Sequence, residues 1–292
     1  MDDIACRVSI IVPAFNEEAA ICPVLEGLIA VMQPLDVPYE ILVVDDGSRD
    51  GTVAACQAYD GVQVLSHPTN RGVGAARTTG VRAARGEIVV MIDADGTYPA
   101  ESIPDMLAEL ERCDMVIGAR EKEMGTMSLL RSAAKEFIKA LASYLTQTRI
   151  PDLNSGLRAM KREPVLQFLP ILPETHSWVS TITMAFLSSN YAVHWLPIPY
   201  YKRIGRSTFH PISDTYNYLT LVVRAIMYFN PLRIFLPLTL LLFTLGVGKL
   251  IFDIFRFQAF HFPPSTVMLV LTSVQVGAMG LLADLIVRRS KL

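Results

Sequence analysis

The sequence has few charged residues and no CxxC pair, and each shortage excludes a class of protein. Charged residues make up only 18% of the 292 residues, while 51% are hydrophobic. The mean hydropathy of +0.36 is too apolar for an ordinary soluble enzyme. A formal net charge of −2 provides no basic field, so we expect no nucleic-acid partner. The four cysteines are scattered, which favours reduced thiols over a disulfide framework or a zinc site.

The N-terminal residues also lack the features of a secretory leader. They are acidic and lead directly into an apolar strand, without a basic segment and a long apolar run. We therefore expect the first domain to stay in the cytoplasm.

Short apolar runs alternate with helical patterns over residues 1 to about 120. Strands are predicted at 8–12, 41–44, 62–65 and 87–92, and helices at 17–32, 53–59 and 72–84. Further helices are predicted at 127–146 and 175–188, and a late strand at 193–200 contains prolines, which places it near a sheet edge. The alternation predicts an α/β domain with a mostly parallel, doubly wound sheet.

Two long apolar runs follow, at residues 234–252 and 265–287. Each contains one charged residue, Lys249 or Asp284, close to one end, and each is long enough to cross a hydrocarbon core of about 30 Å. A buried hairpin of a soluble protein is the alternative. Arginines flank the pair, and the positive-inside rule then predicts an integral membrane protein with the first domain and both termini in the cytoplasm.

The change in composition predicts three parts, at residues 1–210, 211–230 and 231–292. The middle part has apolar residues at helical spacing between 212 and 226. An amphipathic juxtamembrane helix of this kind could lie along the membrane surface or pack on the first domain, and both arrangements stay open.

Acidic residues follow two of the predicted strands. Asp45 and Asp46 come directly after the strand at 41–44, a position that a turn and helix cap would also explain. Asp93 and Asp95 follow the next long strand. Ligands bind beyond the carboxyl ends of strands in open α/β sheets, and two hard oxygen ligands two residues apart can hold Mg²⁺ or Mn²⁺ against a diphosphate.

These motifs resemble those of the family 2 glycosyltransferases. The matching stretches are PAFNE at 13–17, DDGSRDGT at 45–52, NRG at 70–72 and DAD at 93–95. Later stretches, GAR at 118–120, DLNSGLR at 152–158 and RIGRS at 203–207, resemble the polyprenyl-phosphate branch, the dolichyl-phosphate mannose synthase group. The resemblance covers essentially the whole chain. It implies a GT-A fold, a nucleotide-sugar donor and a polyprenyl phosphate acceptor.

The resemblance also implies which residues bind the donor. They are Pro13, Ala14, Asn16, Glu17, Asp45, Asp46, Asp93, Ala94, Asp95 and Arg120. An aspartate carboxylate of this set would accept an N–H of the base, while Asp93 and Asp95 would hold Mg²⁺ or Mn²⁺. Many relatives have glutamine where this chain has Thr97, so the third metal ligand stays open and water could replace it.

On the acceptor side, the resemblance implies phosphate contacts from Arg131, Ser155, Arg203 and Ser207. Arg120 and Arg131 match basic positions that engage phosphates, although each could be an ordinary surface arginine. Asp152 could be a catalytic base or could orient Arg158 and Ser155. Both readings of Asp152 stay open.

Two motifs of relatives that glycosylate sugar hydroxyls are missing. The sequence has no QxxRW, and residues 172–182 contain no Glu-Asp pair that could act as a base. A phosphate monoester is already anionic and needs no base. We therefore expect a hexose to pass from a UDP- or GDP-sugar to polyprenyl phosphate at the cytoplasmic membrane face, with inversion. The alternatives are transfer to a lipid or glycan hydroxyl, and a non-catalytic nucleotide-sugar-binding membrane scaffold.

Three remaining features are interpreted as structural or stay open. His176, His194 and His210 have no metal-ligand spacing, and GVGAAR at 72–77 predicts close backbone packing. Membrane lipids are expected partners, and a homo-oligomer is compatible with the sequence, which does not fix the oligomeric state.

Overall fold

The computed structural model describes residues 6–120, 140, 143–144, 146–175, 177–204, 231–257 and 263–290. The chain divides into two compact units, residues 1–221 and 222–292, and each is described by itself. The segment at 211–230 and most of the helix expected at 127–146 lie outside the described residues. The three-part domain division therefore stays a prediction.

The first unit is built on a mixed seven-stranded sheet. Its strands are β1 Val8–Ala14, β2 Tyr39–Asp45, β3 Val62–Ser66, β4 Ile88–Met91, β5 Met115–Arg120, β6 Arg158–Lys161 and β7 Val193–Ile198. Their order across the sheet is β3-β2-β1-β4-β6-β5-β7. Only β6, among the described strands, runs antiparallel to its neighbours. The predicted α/β class and the edge position of the proline-containing β7 are confirmed.

Helices cover both faces of this sheet. They are α1 Ile21–Met32, α2 Thr52–Gln57, α3 Val73–Ala83, α4 Ile103–Glu109, α5 Arg162–Phe168 and α6 Trp178–Ser188. Successive side chains of β1 point to opposite faces, so Ile10 and Val12 pack with Leu25 in one core while Ile11 packs with Trp178 in the other. Burial on both faces explains why this strand is an unbroken apolar run.

The first helix begins four residues later than predicted. Residues 17–20 form a turn in which the N–H of Ala20 donates to the Glu17 carbonyl, and α1 begins only at Ile21. The N–H of Glu17 donates to Thr52 Oγ1, and that of Glu18 to Asp50 Oδ2. Side chains that follow β2 thus accept hydrogen bonds from these N–H groups. The helical spacing of apolar residues alone could not reveal these contacts.

The second unit contains two long helices, α7 Leu232–Phe257 and α8 Pro264–Ser290. The spans at Leu232–Arg256 and Pro264–Val287 are long and apolar enough to cross a membrane, and little of either is buried. The helices pack closely at Gly280, where an added Cβ would lie only 2.4 Å from the Phe235 Cβ. Large apolar side chains face outward instead, as lipid-facing surfaces require.

Two helical glycines of the first unit provide a matched test of the packing. A Cβ on Gly80 would lie 2.4 Å from Ile11 Cγ2, whereas a Cβ on Gly27 would meet Ala100 Cβ at an ordinary 3.7 Å. We expect Gly80→Ala to lower the free energy of unfolding by about 1–3 kcal/mol through overpacking. Gly27→Ala should leave it unchanged or raise it by up to about 1 kcal/mol.

Chemical denaturation followed by tryptophan fluorescence measures this difference, because Trp178 and Trp195, the two tryptophans of the chain, both lie in the first unit. Equal unfolding midpoints for the two variants would contradict the close contact between α3 and β1.

Candidate active site

The carboxyl ends of three parallel strands meet at one edge of the sheet. Pairing of β1 with β2 places Ala14 beside Asp45, and β4 pairs with β1 on the other side. Asp46 and Asp93 follow these strand ends, so the two predicted acidic motifs lie at the same edge. The chain turns sharply after β2, where Asp45 Oδ1 accepts the N–H of Ser48 at 3.1 Å.

The loops after β1 and β2 are joined by hydrogen bonds. The N–H of Asn16 donates to Ser48 Oγ at 2.8 Å, and Asn16 Oδ1 accepts the N–H of Arg49 at 2.9 Å. Asn16 has a φ of 54°, in the left-handed region that asparagine tolerates. Its side chain therefore holds the two loops together, and its expected contact with a nucleoside stays a prediction.

Both carboxylate oxygens of Asp46 are bound by the protein itself. Oδ1 accepts the N–H of Arg71 at 2.9 Å and lies 2.7 Å from His67 Nδ1, while Oδ2 accepts the N–H of Gly72 at 2.7 Å. Asp46 is only 2% exposed. These bonds commit the carboxylate of Asp46 to the turn at 70–72, and its expected contact with the nucleoside stays a prediction.

The glycines of GVGAAR allow a close approach of two backbone segments. A Cβ on Gly72 would lie 2.5 Å from the Glu174 carbonyl oxygen, and one on Gly74 would lie 2.3 Å from that of Pro173. The predicted backbone packing is confirmed. It fixes the start of α3, which carries Arg77 beneath the acidic strand end.

The Asp-Ala-Asp pair is held by two different partners. Asp93 Oδ1 accepts a hydrogen bond from the buried Arg77 Nη2 at 2.7 Å. Asp95 Oδ1 accepts the N–H of Thr97 at 3.1 Å and its hydroxyl at 2.6 Å. The hydroxyl of Thr97 is therefore engaged as a donor to Asp95, and the third metal ligand stays open.

Glu17 completes a group of three carboxylates with Asp93 and Asp95. Burial raises the pKa of Glu17 to about 7, and the charges of Asp95 and Asp93 add to this rise while Arg203 opposes it. Burial also raises the pKa of Asp95, with the charge of Asp93 as the next cause. Among the described residues, these three carboxylates pair with two arginines, Arg77 and Arg203, so the negative charges of the group outnumber the positive ones.

This charge imbalance fits a divalent cation. Within the described ranges, no group of three His, Cys, Asp or Glu side chains is arranged to hold a metal ion. The protein would therefore supply the oxygens of Asp93 and Asp95, and the remaining positions would fall to phosphate and water, which is the usual environment of Mg²⁺. The residues present fit Mg²⁺ or Mn²⁺ bound together with a diphosphate.

Arg203 lies among these carboxylates, which differs from the expectation. Its Nη2 donates to Glu17 Oε1, and its Nη1 lies 3.4 Å from Asp95 Oδ2. The sequence predicted a contact with the acceptor phosphate near the membrane. The structure places Arg203 in ion pairs with Glu17 and Asp95, a long-range contact that no local pattern could reveal, and its contact with the acceptor phosphate stays a prediction.

Asp152 is paired with Arg120 and is not poised as a base. Its two oxygens accept hydrogen bonds from Arg120 Nε at 2.7 Å and Nη2 at 3.0 Å. Burial would raise the pKa of Asp152, but the hydrogen bonds and charge of Arg120 outweigh it, and the pKa is lowered. A carboxylate held in this way is a poor proton acceptor, which disfavours the base role.

The alternative role of Asp152, orienting Arg158 and Ser155, is not based on a direct hydrogen bond to the Arg158 guanidinium. Arg158 is fully buried and donates to the carbonyls of Ser155 and Val179 and to Thr183 Oγ1. Ser155 is fully buried as well, and its expected contact with an acceptor phosphate stays a prediction.

Sequence reasoning missed the buried arginines Arg77 and Arg158 as site residues. Burial lowers the pKa of Arg158 to about 9, with the positive charge of Arg77 as the next cause. An arginine within a run of small residues, as in GVGAAR, is the signal that could have identified Arg77. Arg131 and Ser207, two predicted acceptor residues, lie outside the part of the chain that the structure describes.

Two family models match the chain. Residues 9–169 match Glycosyl transferase family 2, and residues 230–288 match the GtrB C-terminal hairpin. The first match includes the three strand ends described above. The second covers the two long apolar helices, which supports their assignment as a membrane hairpin.

Several known proteins are similar in sequence. The dodecaprenyl-phosphate galacturonate synthase of Rhizobium johnstonii is 26% identical over 306 aligned positions, covering 97% of this chain and 88% of that protein. The undecaprenyl-phosphate 4-deoxy-4-formamido-L-arabinose transferase of Proteus mirabilis is 31% identical, covering 58% of this chain and 56% of that protein. The dolichyl-phosphate beta-glucosyltransferase of Dictyostelium discoideum is 26% identical, covering 65% of this chain and 66% of that protein.

Solved structures share the fold. Glucosyl-3-phosphoglycerate synthase from Mycobacterium tuberculosis, in complex with phosphoglyceric acid, has a TM-score of 0.60 at 22% identity, covering 75% of this chain and 80% of that one. The same protein with Mn²⁺, UDP and glucosyl-3-phosphoglycerate has a TM-score of 0.57, covering 76% of this chain and 79% of that one. At this identity the likeness shows the fold alone, and the predicted GT-A fold is confirmed.

The Asp152–Arg120 pair can be tested by removing its negative charge. Asp152→Asn leaves Arg120, whose side chain is 12% exposed, without its carboxylate, and we expect a loss of roughly 3 kcal/mol in the free energy of unfolding. Glu174→Gln, which breaks the exposed pair with Arg71, is the control and should cost less than about 1 kcal/mol.

The free energy of unfolding lost in Asp152→Asn should depend on pH in a defined direction. Because the folded pKa of Asp152 is lowered, the stability that it contributes is present above its unfolded pKa of about 4 and is lost as the pH falls further. Chemical denaturation at several pH values measures it. Equal effects of the two substitutions at neutral pH would show that Asp152 does not hold Arg120.

Proposed function

Because the chain belongs to Glycosyl transferase family 2, we propose that it transfers a hexose from a UDP- or GDP-sugar to polyprenyl phosphate. The product would be a polyprenyl-phosphate sugar of inverted anomeric configuration. The names of three similar proteins include a dodecaprenyl, undecaprenyl or dolichyl phosphate, which supports this acceptor class. The site geometry supports it independently.

The observation that carries the proposal is the pairing of Asp152 with Arg120. A sugar or lipid hydroxyl needs a general base near neutral pH, and the hydrogen bonds of Arg120 leave Asp152 unsuited to that role. Glu17 has a raised pKa, but its oxygens face Arg203 and the cation-binding pair. A phosphate monoester needs no base, so the site suits a phosphate acceptor.

The residues of the site divide the remaining work between the two substrates. Asp93 and Asp95 would hold Mg²⁺ or Mn²⁺, which supplies charge stabilisation for the departing diphosphate. Arg77 holds Asp93 in place through its bond to Oδ1, and Thr97 does the same for Asp95. Positioning by groups already fixed in the free protein reduces the reorganisation that the reaction requires.

The hairpin would anchor this domain at the membrane that contains the acceptor. Two spans return the chain to the side from which it started, and arginines at positions 233, 288 and 289 flank them. By the positive-inside rule, both termini and the catalytic domain would be cytoplasmic.

Incubation of the purified full chain with labelled UDP- and GDP-hexoses tests the proposal. Each donor is supplied with polyprenyl phosphate, with the polyprenol of the same length, or without acceptor. We expect a labelled lipid only with the phosphate, and the anomeric coupling in its NMR spectrum should show inversion. Transfer to polyprenol would favour the hydroxyl alternative, and donor binding without any transfer would favour the scaffold.

Asp95→Asn tests the cation-binding pair. An amide is a poor ligand for a hard cation, so transfer should fall at least about 100-fold. The metal-free variant should unfold at the same temperature or a higher one, because the raised pKa of Asp95 means that its charged form destabilises the fold at neutral pH.

Asp60→Asn is the control. It removes a carboxylate that is exposed and should change neither the rate of transfer nor the unfolding temperature. Near-normal transfer by Asp95→Asn in saturating Mg²⁺ or Mn²⁺ would exclude the metal role.

A further inference from the structure

Arg203 lies close to a carboxylate oxygen that a cation would need. Asp95 Oδ1 already accepts two hydrogen bonds from Thr97, so Oδ2 is the oxygen that its own loop leaves available. Arg203 Nη1 lies 3.4 Å from that Oδ2, and Nη2 donates to Glu17 Oε1. The guanidinium thus lies where the positive charge of a bound cation is expected.

Backbone contacts on both sides of Arg203 hold it there. The N–H of Tyr201 donates to the Thr97 carbonyl at 2.9 Å, and that of Ile204 donates to the Asp95 carbonyl at 3.1 Å. The segment at 201–204 therefore lies directly against the acidic strand end. The position of the guanidinium follows from this docked backbone as well as from attraction between charges.

A guanidinium and a divalent cation cannot both satisfy the same carboxylate oxygen. Like charges at this separation repel, and the side chain of Asp95 is only 12% exposed, so water screens them poorly. The side chain of Arg203 itself is 31% exposed, so part of it already reaches solvent. Arg77, the other arginine that pairs with this group, is 5% exposed and has no comparable freedom.

We propose that Arg203 is an internal counter-ion that competes with the divalent cation for Asp95 and is displaced when the cation binds. The inference rests on the proposed function, in which the cation accompanies the donor. A released guanidinium can bind phosphate oxygens bidentately. Arg203 would then become available to a phosphate only after the cation has bound, so the donor would be loaded before Arg203 can assist the acceptor.

Mn²⁺ binding to the full-length protein in detergent, without nucleotide, sugar or acceptor, tests the competition directly. Electron paramagnetic resonance measures the free Mn²⁺ at each point of a titration. Arg203→Met should bind Mn²⁺ at least about tenfold more tightly than the parent protein, because it removes the competing cation. Arg203→Lys keeps the positive charge and should stay within about threefold of the parent.

Lys202→Met is the matched control. It removes the same charge from the neighbouring, exposed position, and we expect less than a twofold change in Mn²⁺ affinity. Equal or weaker Mn²⁺ binding by Arg203→Met, with the tryptophan fluorescence of the folded parent, would overturn the inference. So would an equal gain in Lys202→Met, which would indicate only a general effect of net charge.

Failure of this inference and failure of the proposed function give different results. Tight Mn²⁺ binding by Arg203→Met in a protein that transfers no sugar to polyprenyl phosphate would support the competition and contradict the proposed acceptor. Normal transfer by the parent protein, with unchanged Mn²⁺ binding in Arg203→Met, would leave the function intact and exclude the competition.

Discussion

Repulsion among Glu17, Asp93 and Asp95 is the constraint on which the rest of the site depends. The three carboxylates lie at one sheet edge with little solvent around them, and burial together with their mutual charge raises the pKa of Glu17 to about 7. Such an arrangement is unfavourable by itself. It persists because Arg77 and Arg203 supply positive charge to it.

The fold maintains this unfavourable group through contacts that are long-range in sequence. The parallel strands β1, β2 and β4 end together, and hydrogen bonds between the loops after β1 and β2 fix the position of Glu17. Arg77 reaches Asp93 from α3, whose start is fixed by the tight backbone contact at Gly72 and Gly74. Strain from like charges is therefore balanced by packing elsewhere in the domain.

The sequence was sufficient for the strands that end at the site and for the nature of the acidic motifs. Short apolar, β-branched runs predicted β1 to β4, and the two long apolar runs predicted the hairpin. The antiparallel β6 was missed because its four residues carry no distinctive pattern. The partners of Asp46, Asp152 and Arg203 were also missed or misassigned. Each of these pairs joins residues at least 21 positions apart, and composition or spacing does not encode such contacts.

We expect the site to accept the diphosphate of the donor only together with a cation. Isothermal titration of the full-length protein with UDP and GDP, in Mn²⁺ and in metal-free buffer, tests it most directly. We expect the preferred nucleotide to bind at least about 100-fold more tightly with Mn²⁺, since three carboxylates otherwise repel the diphosphate. Equal affinity in the two buffers would contradict a need for the cation. The arginines alone would then suffice to balance the charges of both the carboxylates and the diphosphate.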